Sequence, residues 1–169
     1  AGIHNGGHTE PKPLPPELVA ACPESEQFDR SSKNACTDVG CNSGYHLDLS
    51  PSSGWTAGAY TFELDLDGRT VSCQGAIPLK ACAERTFRCD AEDVSLGESG
   101  CALPATQHGI SNIAFEGFPL ALTVRIVKDG NELSSTTLTP SYKAGQPNGP
   151  GCEPICCSAA GTISVPTGP

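Results

Sequence analysis

The sequence predicts an all-β fold, an antiparallel β-sandwich of immunoglobulin-like or Greek-key type stapled by disulfides. Three observations carry this expectation. Apolar and polar residues alternate with period two in several short runs, which places one set of side chains on each face of a strand. Asp67-Gly68 and Asp129-Gly130 break two of those runs, and Asp and Gly tolerate the positive φ values of two-residue hairpin turns. The chain also holds 10 cysteines. That even number allows a full set of cross-links, each typically adding about 2–4 kcal/mol.

Composition bounds the rest. A chain of 169 residues suits one domain with a tail. Leu, Ile, Val and Phe make up about a fifth of it, which is thin for a core. Cross-links make up for a thin core, and their number implies an oxidising compartment: the secreted space, the cell surface or the periplasm. No apolar run approaches the roughly 20 residues of a membrane span. No basic, apolar signal region stands at the start, as expected for a mature or trimmed chain. A net charge of −9 disfavours nucleic acid and anionic membrane surfaces as partners. No Asn-x-Ser/Thr sequon occurs.

Residues 1–17 read as a flexible tail rich in Gly and Pro, whose Pro11–Pro16 stretch favours an extended spacer. Residues 18–169 read as one domain. Pro16 to Cys22 suits a single helical turn, since Pro is tolerated in a first turn and Glu17 suits a helix N-terminus. A polar loop follows, and Tyr45 to Leu49 alternates as a short strand. The central hairpin comes next. Tyr60, Phe62, Leu64 and Leu66 share one face, and pairing outward from Asp67-Gly68 sets Leu64 opposite Val71 and Phe62 opposite Cys73. Cys73 is therefore expected in the core.

Residues 79–109 are irregular, with strands expected at Thr86–Cys89 and Val94–Leu96 and with Cys82, Cys89 and Cys101 pinning the stretch. Gly109–Phe115 reads as a strand. A second hairpin turns at Asp129-Gly130, with Leu120, Leu122, Val124 and Ile126 on one face and Leu133 opposite Ile126. Its return strand, Asn131 to about Tyr142, needs a one-residue bulge near Ser134-Ser135 to bring Leu138 to the core. Residues 145–157 form a cysteine-dense clamp, and Thr162–Val165 a last strand with Ile163 and Val165 inward. Seven or eight short strands result.

The segments Trp55-x-x-Gly58-x-Tyr60-x-Phe62, Asp67-Gly68, Asp129-Gly130 and Pro147-Asn-Gly-Pro-Gly-Cys-Glu-Pro154 resemble those of secreted, cysteine-containing lipoprotein-like proteins of myxobacteria and related lineages. The resemblance spans roughly residues 36–160. It implies an extracytoplasmic bacterial domain and transfers no catalytic residue.

Chemistry-bearing patterns are few. His4 and His8 on a Gly-rich segment present two imidazoles for Cu or Zn, though a metal site needs further ligands and support. His46 and His108 read as packing or surface residues. The acidic groups at 65–67 and 90–93 lack the ligand ladder of a calcium loop. The cysteines (Cys22, Cys36, Cys41, Cys73, Cys82, Cys89, Cys101, Cys152, Cys156 and Cys157) read as disulfides rather than zinc ligands, with no Cys-x-x-Cys pair among them. Cys89–Cys101 and a bond from Cys73 to one of the clamp cysteines are the expected pairings. Adjacent Cys156 and Cys157 are expected to bond two different partners, because successive strand side chains diverge.

No nucleophile elbow, paired catalytic carboxylates or phosphate loop is present, so the chain reads as no enzyme and needs no cofactor. The expected function is a non-catalytic extracellular binding or surface-structural module, with a protein or glycan partner or self-association. A fibre subunit using Gly161–Pro169 as a donor strand is the second reading, and a periplasmic metal protein using His4 and His8 the third. Trp55 is either a core residue folded over the end of the sandwich or an exposed binding platform.

Overall fold

Alternation and turn chemistry produce ten strands in the computed structural model, which describes residues 14–22 and 36–167. They are β1 (Gly44–Pro51), β2 (Gly58–Leu66), β3 (Arg69–Ile77), β4 (Arg88–Cys89), β5 (Val94–Ser99), β6 (Gly109–Phe115), β7 (Leu122–Lys128), β8 (Asn131–Leu138), β9 (Lys143–Gly145) and β10 (Cys156–Val165). Two five-stranded sheets result, ordered β5-β6-β1-β10-β9 and β4-β3-β2-β7-β8. Their inner faces supply one core, in which Leu47, Phe62, Leu64, Ile113, Leu122, Val124, Ile126 and Val165 are fully buried. The fold is an all-β, disulfide-stapled sandwich.

The first hairpin folds in the register its sequence dictates. Leu64 faces Val71 and Phe62 faces Cys73, which is fully buried. Asp67 and Gly68 adopt φ of 54° and 87°, and Asp129 and Gly130 adopt 49° and 82°, so both turns place two successive residues in the left-handed region. The aspartates also cross-link the hairpins. The Asp67 carboxylate accepts N–H bonds from Leu120 and Ala121, and Asp129 Oδ1 accepts one from Ala59 at 2.9 Å.

Several expectations need correction. The second hairpin carries its bulge at Leu133, directly before the expected Ser134-Ser135, so Leu133 does not stand opposite Ile126. Ile126 therefore pairs with Ser134, and Leu138 arrives opposite Leu122. Placed there, one extra residue returns Leu138 to the core side. The strand expected over 86–89 shrinks to Arg88–Cys89, held by the in-register pair Cys73 and Cys89. The helical turn before Cys22 is a single 3₁₀ turn over Pro16–Leu18. Residues 1–13 of the expected tail lie outside the described residues, but Leu14 already packs against the core.

The last strand departs furthest from expectation. It starts at Cys156 instead of Thr162, and it runs parallel to β1, pairing Gly44 with Ser158 through to Pro51 with Val165. Residues 161–165 are thus paired along one side with β1, whereas β9 covers only Cys156–Ser158 on the other side of the strand. A free donor strand in that segment, as the fibre reading requires, would have to leave its own sheet first.

All ten cysteines are paired. The bonds are Cys22–Cys157, Cys36–Cys152, Cys41–Cys156, Cys73–Cys89 and Cys82–Cys101. The expected Cys89–Cys101 bond and the bond from Cys73 to the clamp are both replaced. Cys73 reaches Cys89 because β4 lies beside β3, and that leaves Cys101 for Cys82. Adjacent Cys156 and Cys157 take separate partners, and three of the five bonds tie the N-terminal segments to residues 152–157.

An aromatic group closes the same pole. Tyr142 packs edge-on against Phe118 and Tyr45, and its hydroxyl donates to the Pro119 carbonyl at 3.0 Å. Burial, and secondarily the nearby Tyr45 and Asp67, push the Tyr142 phenol well above its usual range, and burial raises Tyr45 as well. Both phenols hold their protons more tightly folded than unfolded. Their contribution is complete below the ordinary phenol pKa of about 10 and is lost as the pH rises beyond it. Thermal melts from pH 8 to 12 should show stability falling above pH 10. Tyr142→Phe should lose about 1 kcal/mol at neutral pH with the hydroxyl bond, and should fall less steeply in alkali.

Candidate functional site

The residues singled out by sequence are mostly structural. Trp55 is 8% exposed. Its indole N–H donates to the Ile110 carbonyl at 3.0 Å, and its ring stands edge-on to Tyr60 at 5.4 Å. It fits there because Gly109 has no side chain: a Cβ at that position would lie 2.5 Å from the indole Cδ1. The core role replaces the binding-platform role, since the ring has no exposed face to offer. His4 and His8 lie outside the described residues. Among the described residues, no group of three or more His, Cys, Asp or Glu side chains could hold a metal ion.

His108 is buried and bridges two loops. Its Nδ1 accepts the Leu79 N–H and its Nε2 bonds the Leu103 carbonyl, each at 2.9 Å, which fixes the Nε2–H tautomer. Neighbouring Ser111 donates to the Gly97 carbonyl at 3.1 Å. The acidic groups are engaged in the same way. Asp65 accepts the Gly68 N–H, Asp90 accepts the Ser72 N–H, and Asp93 forms a two-pronged pair with Arg69 at 2.7 and 3.1 Å.

Two hollows lie at the clamp pole. One, of about 210 Å³, has an apolar floor that includes Leu66, Phe115 and Phe118. Its rim groups are already satisfied: Arg69 by Asp93, and Asp67 by the Leu120 and Ala121 N–H groups. Pro15 from the N-terminal segment sits against it.

The second hollow, of about 520 Å³, lies over the outer face of the first sheet. Its floor follows from the register. His46 stands between Ala114 on β6 and Ala160 on β10, and Gly44 stands beside Ser158. Such small neighbours leave space above the strands. Asn42 and Ser43 form one wall, held in place by the Cys41–Cys156 bond and by the Cys157 N–H donating to Ser43 Oγ at 3.1 Å. Ser95 and Glu116 form the other wall. His46 is half exposed, with Nε2 3.1 Å from Asp48 Oδ1. The hollow therefore offers hydroxyl, amide, imidazole and carboxylate groups over a small-residue floor, and its size falls within the range of small-molecule sites.

The clamp itself rests on a residue that sequence reasoning passed over. Asn148 is buried, and its side-chain oxygen accepts bonds from Thr37 Oγ1 and the Val39 N–H at 2.6 and 2.8 Å. Its amide donates to the Val39 and Glu153 carbonyls at 2.9 and 2.7 Å. The side chain thus ties the 37–39 segment to the clamp. Asn148→Ala should cost about 1–3 kcal/mol by stranding those groups, read as a shift in the denaturant midpoint. The signal available in sequence was an Asn-Gly in a Pro-rich turn, which reads equally well as plain turn chemistry.

No protein-family model, curated protein or solved structure matches this chain.

Proposed function

We propose that this protein is a non-catalytic, extracytoplasmic binding module that holds an uncharged, hydroxyl-rich ligand, a glycan unit, in the hollow over the first sheet. The observation that carries this reading is the lining of that hollow. Ser95, Ser158, Asn42, His46 and Glu116 supply short donors and acceptors around a floor too small-sided to be a packing surface. Neutral hydroxyl groups suit such a lining, in which one imidazole and one carboxylate stand among hydroxyl and amide groups. Five disulfides fit an oxidising compartment. Catalysis is left out of the reading because His108 commits both ring nitrogens to backbone groups, and because disulfides use every cysteine.

Titration calorimetry against a panel of neutral mono- and oligosaccharides tests it. The protein should bind at least one member. Ser158→Arg, which fills the hollow from an exposed position, should abolish that binding and leave the near-ultraviolet dichroism unchanged. Binding to no member, or equal binding by Ser158→Arg, would overturn the reading.

A further inference from the structure

Three disulfides and one strand define a short covalent route through the molecule. Cys22 bonds Cys157, the second residue of β10, with Cα atoms 5.5 Å apart. From there β10 runs straight to Val165 at the opposite pole. Its far end is fastened there. The Ser52 N–H donates to the Val165 carbonyl at 2.9 Å, and Thr167 exchanges bonds with Ser52 and Ser53. The other two N-terminal cysteines deliver to the same place, since Cys36 reaches Cys152 and Cys41 reaches Cys156.

We propose that this protein is a tension-bearing link. A pull on its two ends travels through Cys22–Cys157 and along β10, and the rest of the sandwich stands beside the path. Chain from residue 23 to residue 156 is then excluded from the load. The strand that carries it has little length to give, because β10 rises about 3.3 Å per residue and a fully extended chain reaches about 3.6 Å. The strand is pulled from both ends at once, so no net force drags it past β1 or β9. The bonds Cys36–Cys152 and Cys41–Cys156 act as reserves, since loss of the first staple hands the load to the next one, still ahead of β10. The inference stands apart from ligand binding: the hollow could be empty and the route would be the same.

Single-molecule stretching of the full chain between handles at its two ends tests it. Oxidised wild-type protein should show no unfolding step larger than a few ångströms' gain in β10. Cys22→Ser/Cys157→Ser should show one added step of roughly 60–70 Å, the chain from 22 to 36 and from 152 to 157 at about 3.3–3.6 Å per residue. Removing all three staples should release roughly 400 Å, because Cys73–Cys89 and Cys82–Cys101 still hold part of the chain closed. Adding reductant while wild-type protein is under load gives the same comparison without a variant that has to fold. A large step in the oxidised wild type, or no step after reduction, would overturn the proposal.

Discussion

Trp55→Ala is expected to destabilise the protein by about 3–5 kcal/mol, the usual range for emptying a buried aromatic site. The effect is large here because few big side chains share the work. Trp55 contacts Tyr60 and Phe62, and Phe62 in turn stands edge-on to Phe87 at 6.1 Å. The truncation also strands the Ile110 carbonyl, which accepts the indole N–H inside the core. Gly109 cannot refill the space without moving its own strand. Equilibrium denaturation should show the loss as a lowered midpoint. As the chain has 1 tryptophan, intrinsic fluorescence reports on this site alone. It should be blue-shifted and poorly quenched by iodide in the wild type. Gly109→Ala should move the same signal from the other side by driving a methyl group into the indole. Unchanged stability in Trp55→Ala, together with readily quenched emission in the wild type, would return Trp55 to the surface.

The second large effect concerns the clamp. Each staple there closes a ring whose effective size depends on the others. With Cys36–Cys152 intact, Cys22–Cys157 closes a ring of about 20 residues, worth about 3 kcal/mol in the chain-entropy account. With all three gone, the closure lost spans more than 100 residues, worth nearly 5 kcal/mol, and the two smaller rings are lost as well. The combined loss approaches the whole stability of an ordinary domain, about 5–15 kcal/mol. Replacing all six cysteines of the three clamp bonds with serine should therefore abolish cooperative unfolding at 25 °C. The Cys22→Ser/Cys157→Ser pair should retain it with a lower midpoint. A six-serine variant that still melts cooperatively would show that packing alone holds β10 in place.

The local parts of this fold were legible in the sequence and the distant pairings were not. Alternation and Asp-Gly turns fix the register of β2 with β3, because each side chain's face follows from counting outward from the turn. The same counting locates a bulge in the second hairpin to within a residue or two, since a bulge at Leu133 or at Ser134-Ser135 equally restores Leu138. Counting says nothing about which strands become neighbours across a hundred residues. The parallel partnership of β1 and β10, and with it the hollow over His46, Ala114 and Ser158, lies beyond it. The disulfides have the same limit: Cys73–Cys89 follows only once a two-residue β4 is known to lie beside β3. Asn148 escaped notice because its role depends on a segment more than a hundred residues away.

The pairing of the first full strand with the last also sets an order of events. During synthesis or export the chain emerges from its N-terminus, and β1 waits for its partner until residues 158–165 appear. The hairpin of β2 and β3 and the β5–β6 pair can form early, since their contacts are local. The first sheet cannot be completed, and the three clamp bonds cannot all find their correct partners, until residues 152–165 have arrived. A chain halted before residue 152 would present the unmatched side of β1 and three unpaired thiols, at Cys22, Cys36 and Cys41. Such a product is open to wrong disulfides and to strand pairing with other chains. Maturation is therefore gated by the arrival of the last strand, and thiol exchange before that moment favours errors.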